Sequence, residues 1–258
     1  MSWDWARLEA KFDGVEIQRV RFITVAGTWS RPEWGFQADV ARGLNDERFE
    51  WVPVEYPASF GPINPPFPGA PSYQDSVQVG VEATIRAIEK SSAPFILSGY
   101  SQGAEVAGRV CIELIEGVLR HRRADCMGSV TFGDPARQAT DESYGGGTGT
   151  GISKLEIPRG IKRVTYAVKG DMYCTIPEGM TGDQMHAVYL ALTRMGDGKI
   201  NGHTALLQEV LKILNNPLAG GIAAIDAIIR ALQVAQHGAY GPWVPHAIEQ
   251  VARMAAHN

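Results

Sequence analysis

Cysteine is scarce. The 258 residues hold three, Cys111, Cys126 and Cys174. They are odd in number and unevenly spaced, which excludes a disulfide framework and gives no zinc-ligand spacing, so they read as reduced thiols. An excess of basic charge is also lacking. Twenty-four Lys and Arg face 28 Asp and Glu, for a net charge of −4, so there is no electrostatic footprint for nucleic acid. No transmembrane segment is expected: the most apolar late stretch, residues 218–235, is interrupted by Asp226 and Arg230 and reads as a packed amphipathic helix. The opening residues, Met1 to Lys11, are studded with charge and carry no apolar h-region, so a signal peptide is not expected. The glycine run from Gly145 to Gly151 has no strand before it and no Lys-Ser/Thr after it. It therefore lacks the context of a phosphate loop and reads as a flexible loop. There is no internal repeat.

What is present is apolar substance and one strong motif. Apolar residues make up 45% of the chain, enough to bury the core of one large α/β domain with an insertion, or of two small domains. The motif is Gly99-Tyr100-Ser101-Gln102-Gly103, of the form G-x-S-x-G. Before it, Phe95-Ile96-Leu97 reads as a buried parallel strand. After it, Val106, Ala107, Val110, Cys111, Leu114, Ile115 and Val118 fall on one helical stripe. Strand, tight turn with serine at the apex, then helix is the setting of a nucleophile elbow. A serine on so sharp a turn crowds residues two positions away, which glycine relieves. The helix behind it offers free N–H groups and a positive dipole end to a developing oxyanion. Ser101 is the candidate nucleophile.

The rest of the chain alternates. Val20 to Ala26 reads as a first strand running into a loop at Gly27-Thr28-Trp29, and a helix follows around Gly35 to Leu44. Phe49 to Tyr56 reads as a second strand, at an edge or strand end because Pro53 cannot donate to a ladder. Six prolines between Pro57 and Pro71 make a semi-rigid exposed loop. Tyr73 to Lys90 has helical spacing. The basic cluster Arg120-His121-Arg122-Arg123 reads as compensation of the preceding helix dipole. Ser129 to Phe132 and Arg163 to Val168 are further strands, each ending in a Gly-Asp pair. From about residue 182 to 236 only helices are expected, at 183–195, 203–215 and 219–236. A last helix follows His246. Strands alternating with helices predict an α/β fold with an open, mostly parallel sheet. Its division would be a lead-in at 1–19, a catalytic domain at 20–181 and 237–258, and a helical insertion at 182–236.

An activated serine needs a base, and the base needs a carboxylate to orient it. In the hydrolase order the acid follows the serine and the histidine follows the acid. Asp171 and Asp134 both lie just past predicted strands, where catalytic groups gather in open α/β sheets. Of six histidines, His237 and His246 both follow the last strand in loop. The N–H of Gln102 is the first expected oxyanion donor, and Thr28, in the loop after the first strand, is the second.

Four separated motifs, in order, carry a resemblance: Gly99-Tyr100-Ser101-Gln102-Gly103, Phe132-Gly133-Asp134-Pro135, Gly170-Asp171-Met172-Tyr173 and Trp243-Val244-Pro245-His246. With the helical insertion, this set resembles the mycobacteriophage lysin B enzymes, relatives of cutinases with the α/β-hydrolase fold, over roughly residues 20–256. The resemblance implies a serine esterase acting on the ester between mycolic acids and arabinogalactan, with mycolyl-arabinogalactan or other long-chain lipid esters as substrate. It implies Ser101, Asp171 and His246 as the triad, and no metal or cofactor. It further implies a monomer made in the host cytoplasm that acts at the mycobacterial envelope after release at lysis. The chain departs from the family in having Ala26-Gly27-Thr28-Trp29 where many members have His-Gly-Thr-Gly, and in giving Cys174 no evident disulfide partner.

Overall fold

The computed structural model describes residues 18–194 and 237–256. Six strands form one sheet in the order β2-β1-β3-β4-β6-β5, with every pairing parallel. They are β1 (Val20–Val25), β2 (Phe49–Val54), β3 (Phe95–Tyr100), β4 (Cys126–Phe132), β5 (Glu142–Tyr144) and β6 (Arg163–Tyr166). A parallel sheet is covered on both faces, which is why β1 and β3 are buried almost end to end. Pro53 lies in β2, an edge strand, where its missing N–H costs the sheet no bond on the open side.

Helices cover both faces. On one, α2 (Tyr73–Glu89) and α3 (Gln102–Ile115) bury Val77, Val81, Val106, Val110 and Leu114 against Ile23 and Leu97. Ser72 caps α2 by accepting the Asp75 amide at 3.1 Å. On the other face, α1 (Phe36–Gly43) and α5 (Val244–Ala256) bury Val40, Ala247 and Val251 against Phe22, Ile96 and Val130. The helix expected at 183–195 is α4 (Met180–Thr193). It is tied to α2 and α3 through Glu105. That buried carboxylate takes the hydroxyls of Tyr73 and Tyr189 and pairs with Arg109 at 2.7 Å. The helices expected at 203–215 and 219–236 lie outside the described residues.

Three expectations are corrected. The stripe after the elbow does not reach Val118: α3 ends at Ile115, and Val118 is 68% exposed. The basic cluster does not merely face the end of its own helix. It forms a 3₁₀ turn, Arg120–Asp125, in which Arg122 is buried. Its guanidinium donates to the carbonyls of Ile88, Ser91 and Ala93, satisfying the end of α2 and the approach to β3. The glycine run is fastened rather than free. β5 precedes it, and Arg137 reaches the carbonyls of Thr148 and Gly149. A three-residue strand is too short for periodicity to announce.

Candidate active site

All strands being parallel, their C-terminal ends open on the same side, and the candidate residues collect there. Ser101 follows β3 directly, with φ 55° and ψ −120°. This is a positive φ that side-chain-bearing residues rarely take, and such strain persists only where the surroundings enforce it. They do. The Ser101 amide donates to the Phe132 carbonyl at 3.0 Å. A Cβ on Gly99 would lie 2.2 Å from the Gly103 carbonyl oxygen, and one on Gly103 would lie 2.1 Å from that of Val25. The elbow packs so closely on itself and on β1 that only glycine fits at either flank.

Behind the serine, α3 begins at Gln102. The Gln102 side chain is fully buried. It donates to the Ser59 carbonyl at 2.9 Å and accepts from Ser76 at 3.0 Å, pinning the proline-rich loop beside the elbow. The Gln102 amide, in the first turn of α3, has no intrahelical acceptor and is free to receive an anion.

Asp171 lies past the end of β6 and is fully buried. One oxygen accepts the Tyr173 amide at 3.0 Å; the other meets Nδ1 of His237 at 2.8 Å and also accepts the Tyr240 hydroxyl. Burial pushes the carboxyl pKa up, but the bond and charge of His237, the Tyr240 hydroxyl and the Tyr173 amide outweigh it. The result lies below the ordinary carboxylate range. Asp134 is placed otherwise. It pairs with buried Arg163 at 2.7 Å, bonds Thr131 and the Ala136 amide, and is pushed up to about 6 by burial. Of the two candidate carboxylates, Asp171 alone reaches a histidine.

That histidine is His237 and not His246. Tyr100 and Tyr173 flank the His237 ring at centroid distances of 5.2 and 4.4 Å. Its Nε2 is buried and makes no hydrogen bond among the described residues. His246 lies in the first turn of α5 and is turned to the β5–β6 edge. Its Nδ1 bonds the Tyr166 hydroxyl at 2.9 Å, its Nε2 is 3.3 Å from the Gln250 amide, and Tyr144 packs on its ring at 4.4 Å. The helical period could have revealed this. His246 precedes Ala247 and stands four residues before Gln250, both on the buried stripe of α5, so it borders the packing face of that helix.

Thr28, Trp29, Phe60, Tyr73, Tyr100, Ser101, Tyr173 and His237 line one cavity of about 190 Å³. Thr28 thus lies on the same cavity as Ser101 and His237. Trp29, Phe60 and Tyr73 give the cavity an aromatic wall that the motifs did not announce.

A doubly covered parallel sheet with a serine on a strained elbow, facing a histidine held by a buried carboxylate, defines a serine hydrolase of the α/β class. The chain belongs to the cutinase family, whose model matches residues 22–196. It is 33% identical over 236 residues to Endolysin B of Mycobacterium phage L5, covering 82% of this chain and 87% of that protein. Lysin B from Mycobacteriophage D29 superposes with a TM-score of 0.62 at 27% identity, over 84% of this chain and 89% of that one. The catalytic core of acetyl xylan esterase from Trichoderma reesei shares the fold, with a TM-score of 0.52 at 20% identity over 79% of this chain and all of that one. The chain is a serine carboxylic-ester hydrolase, a phage lysin with a cutinase-like esterase fold.

Proposed function

We propose that this esterase cleaves the ester joining mycolic acids to arabinogalactan in the mycobacterial envelope, using Ser101, His237 and Asp171. One observation carries the catalytic assignment: Ser101 and His237 line the same cavity, and His237 is bonded through Nδ1 to Asp171 while its Nε2 stays unbonded. Ser101 Oγ attacks the ester carbonyl, and His237 Nε2 takes the hydroxyl proton. The Gln102 amide and Thr28 stabilise the oxyanion. The tetrahedral intermediate collapses, His237 returns the proton to the sugar oxygen, and the alcohol leaves. Water, deprotonated by His237, then attacks the acyl-enzyme and regenerates Ser101 with release of the acid. Asp171 remains ionised and fixes the imidazole throughout.

The substrate assignment rests on the Endolysin B relatives and on the aromatic lining of the cavity. About 190 Å³ takes the carbonyl and the first carbons of an acyl chain. A longer chain must continue past Trp29, which is half exposed at the rim and packs towards Phe60. Each CH₂ so covered contributes roughly 0.8 kcal/mol. The same wall suits other apolar acyl groups, so the second reading is a lipid esterase of broader range. The insertion expected at 182–236 lies between acid and base in the sequence, and beyond residue 194 it falls outside the described residues. In this reading the enzyme works as a monomer and reaches the outer envelope at lysis.

Purified protein and Ser101→Ala should be incubated with isolated mycobacterial cell wall, the released acids identified by mass spectrometry, and p-nitrophenyl butyrate assayed alongside. Release of mycolic acids by the wild type alone supports the proposal. Butyrate hydrolysis without mycolate release selects the broader esterase.

A further inference from the structure

We infer that Tyr100 and Tyr240 are positioning residues that latch the base segment onto the nucleophile and the acid. The inference rests on His237 being the base. His237 to Tyr240 form a turn leading into the 3₁₀ turn Gly241–Trp243 and then α5. A base carried on a turn has no ladder of its own to hold it, so something else must set its position. Two phenols do so from opposite directions.

Tyr100 is the last residue of β3, next to the nucleophile. Its hydroxyl donates to the His237 backbone carbonyl at 2.7 Å, and its ring stacks on the imidazole with an interplanar angle of 29°. Tyr240 closes the turn. It is fully buried and donates its hydroxyl to the Asp171 oxygen that also holds His237 Nδ1. The two rings lie 6.2 Å apart, and Phe36 packs edge-on against both, at 5.0 and 5.6 Å. Each member of the triad is thereby tied to another by a tyrosine: β3 to the base through Tyr100, and the base segment to the acid through Tyr240. Burial pushes both phenols above their ordinary pKa, so they remain donors across the working pH range. The first variable position of G-x-S-x-G, which the elbow itself leaves open, is thus put to use.

The test is Tyr100→Phe and Tyr240→Phe, assayed on p-nitrophenyl butyrate with active sites titrated by a fluorophosphonate. Both substitutions keep the ring and remove only the hydroxyl. The expected result is a fall in kcat per titrated site of about 10²-fold, the scale of a 1 Å misplacement of a catalytic group. KM should stay within about twofold, and the fluorophosphonate labelling rate should fall in parallel. A purely structural role would lower the melting temperature and the fraction of titratable sites but leave kcat per site at the wild-type value. That outcome in both variants overturns the latch. If buried Tyr240→Phe does not fold, half-buried Tyr100→Phe decides alone. His237→Ala in the same assay separates the two levels: wild-type turnover there defeats the triad reading, whereas a dead His237→Ala with wild-type tyrosine variants defeats only the latch.

Discussion

The imidazole of His237 is held by Asp171, 66 positions earlier in the chain, through Nδ1 at 2.8 Å. His246, nine residues further on, makes its Nδ1 bond to Tyr166 instead. The two histidines flank one turn, and the chain delivers the first to the cavity and the second to the sheet edge.

Their exchange gives the first prediction. His237→Ala is expected to abolish ester hydrolysis down to the residue left by the oxyanion donors, on the order of 10³-fold over water by analogy with other triad enzymes. His246→Ala should keep kcat near wild type. It loses one hydrogen bond to Tyr166, a cost of about 1 kcal/mol in stability. Steady-state kinetics and thermal melting of the pair check this, and the reverse order would return the base to His246.

The two aspartates should fail differently. Asp171→Asn cannot stabilise the imidazolium and favours the wrong tautomer, a loss of about 10⁴-fold in the worked serine-protease case. Asp134→Asn strips buried Arg163 of its 2.7 Å partner and leaves Asp141 at 3.4 Å. The expected cost is stability, about 3 kcal/mol, with kcat per folded molecule little changed. Urea unfolding and active-site titration distinguish the two. Comparable losses of kcat at both positions would leave the carboxylate unassigned.

The doubly wound sheet was legible because each of its longer strands is a short apolar run between turn residues, and each long helix has a clean buried stripe, as Val77, Val81 and Ile88 show in α2. The elbow was legible because its two glycines are demanded by contact with the backbone of Gly103 and Val25. The place of Asp171 at a strand end was legible, but Asp134 shares it, and only the contact with His237 separates the two. His237 could not be singled out, because both late histidines satisfy the triad order and only the path of the turn decides between them. Tyr100, Tyr173 and Tyr240 were invisible for the same reason: an aromatic at a strand end or in a loop declares its burial but not its partner. Arg122 was misread because a cation near a helix end suits the dipole of that helix as well as the carbonyls of another.

The pH behaviour follows from the direction of the Asp171 shift. Its folded-state pKa lies below the ordinary value, so folding favours the ionised form. The associated stability is present above the unfolded value of about 3.9 and is lost as pH falls through the folded pKa. Asp171 therefore stays ionised through the neutral range and keeps its hold on the imidazole there. In Asp171→Asn this linkage is absent, so the gap in melting temperature between wild type and variant should narrow as pH falls below about 4. A gap that stays constant across the acid range would show that folding does not favour the ionised Asp171 carboxylate.

Ser101 itself yields the last prediction. At φ 55° and ψ −120° the residue occupies backbone space that costs a side-chain-bearing residue about 1–3 kcal/mol and glycine nothing of the kind. Ser101→Ala keeps the Cβ and hence the strain. Ser101→Gly releases it, at the expense of about 0.4–1 kcal/mol of extra unfolded-chain entropy. The difference favours glycine by about 1 kcal/mol, or roughly 2–4 °C in melting temperature for a chain of this size. Both variants should be inactive, since neither carries a nucleophile. Calorimetry of the two side by side tests the claim that the elbow stores strain on behalf of the reaction. A glycine variant that melts below the alanine variant would mean that the turn at Ser101 is relaxed, and that the hydroxyl is presented by sequence position alone.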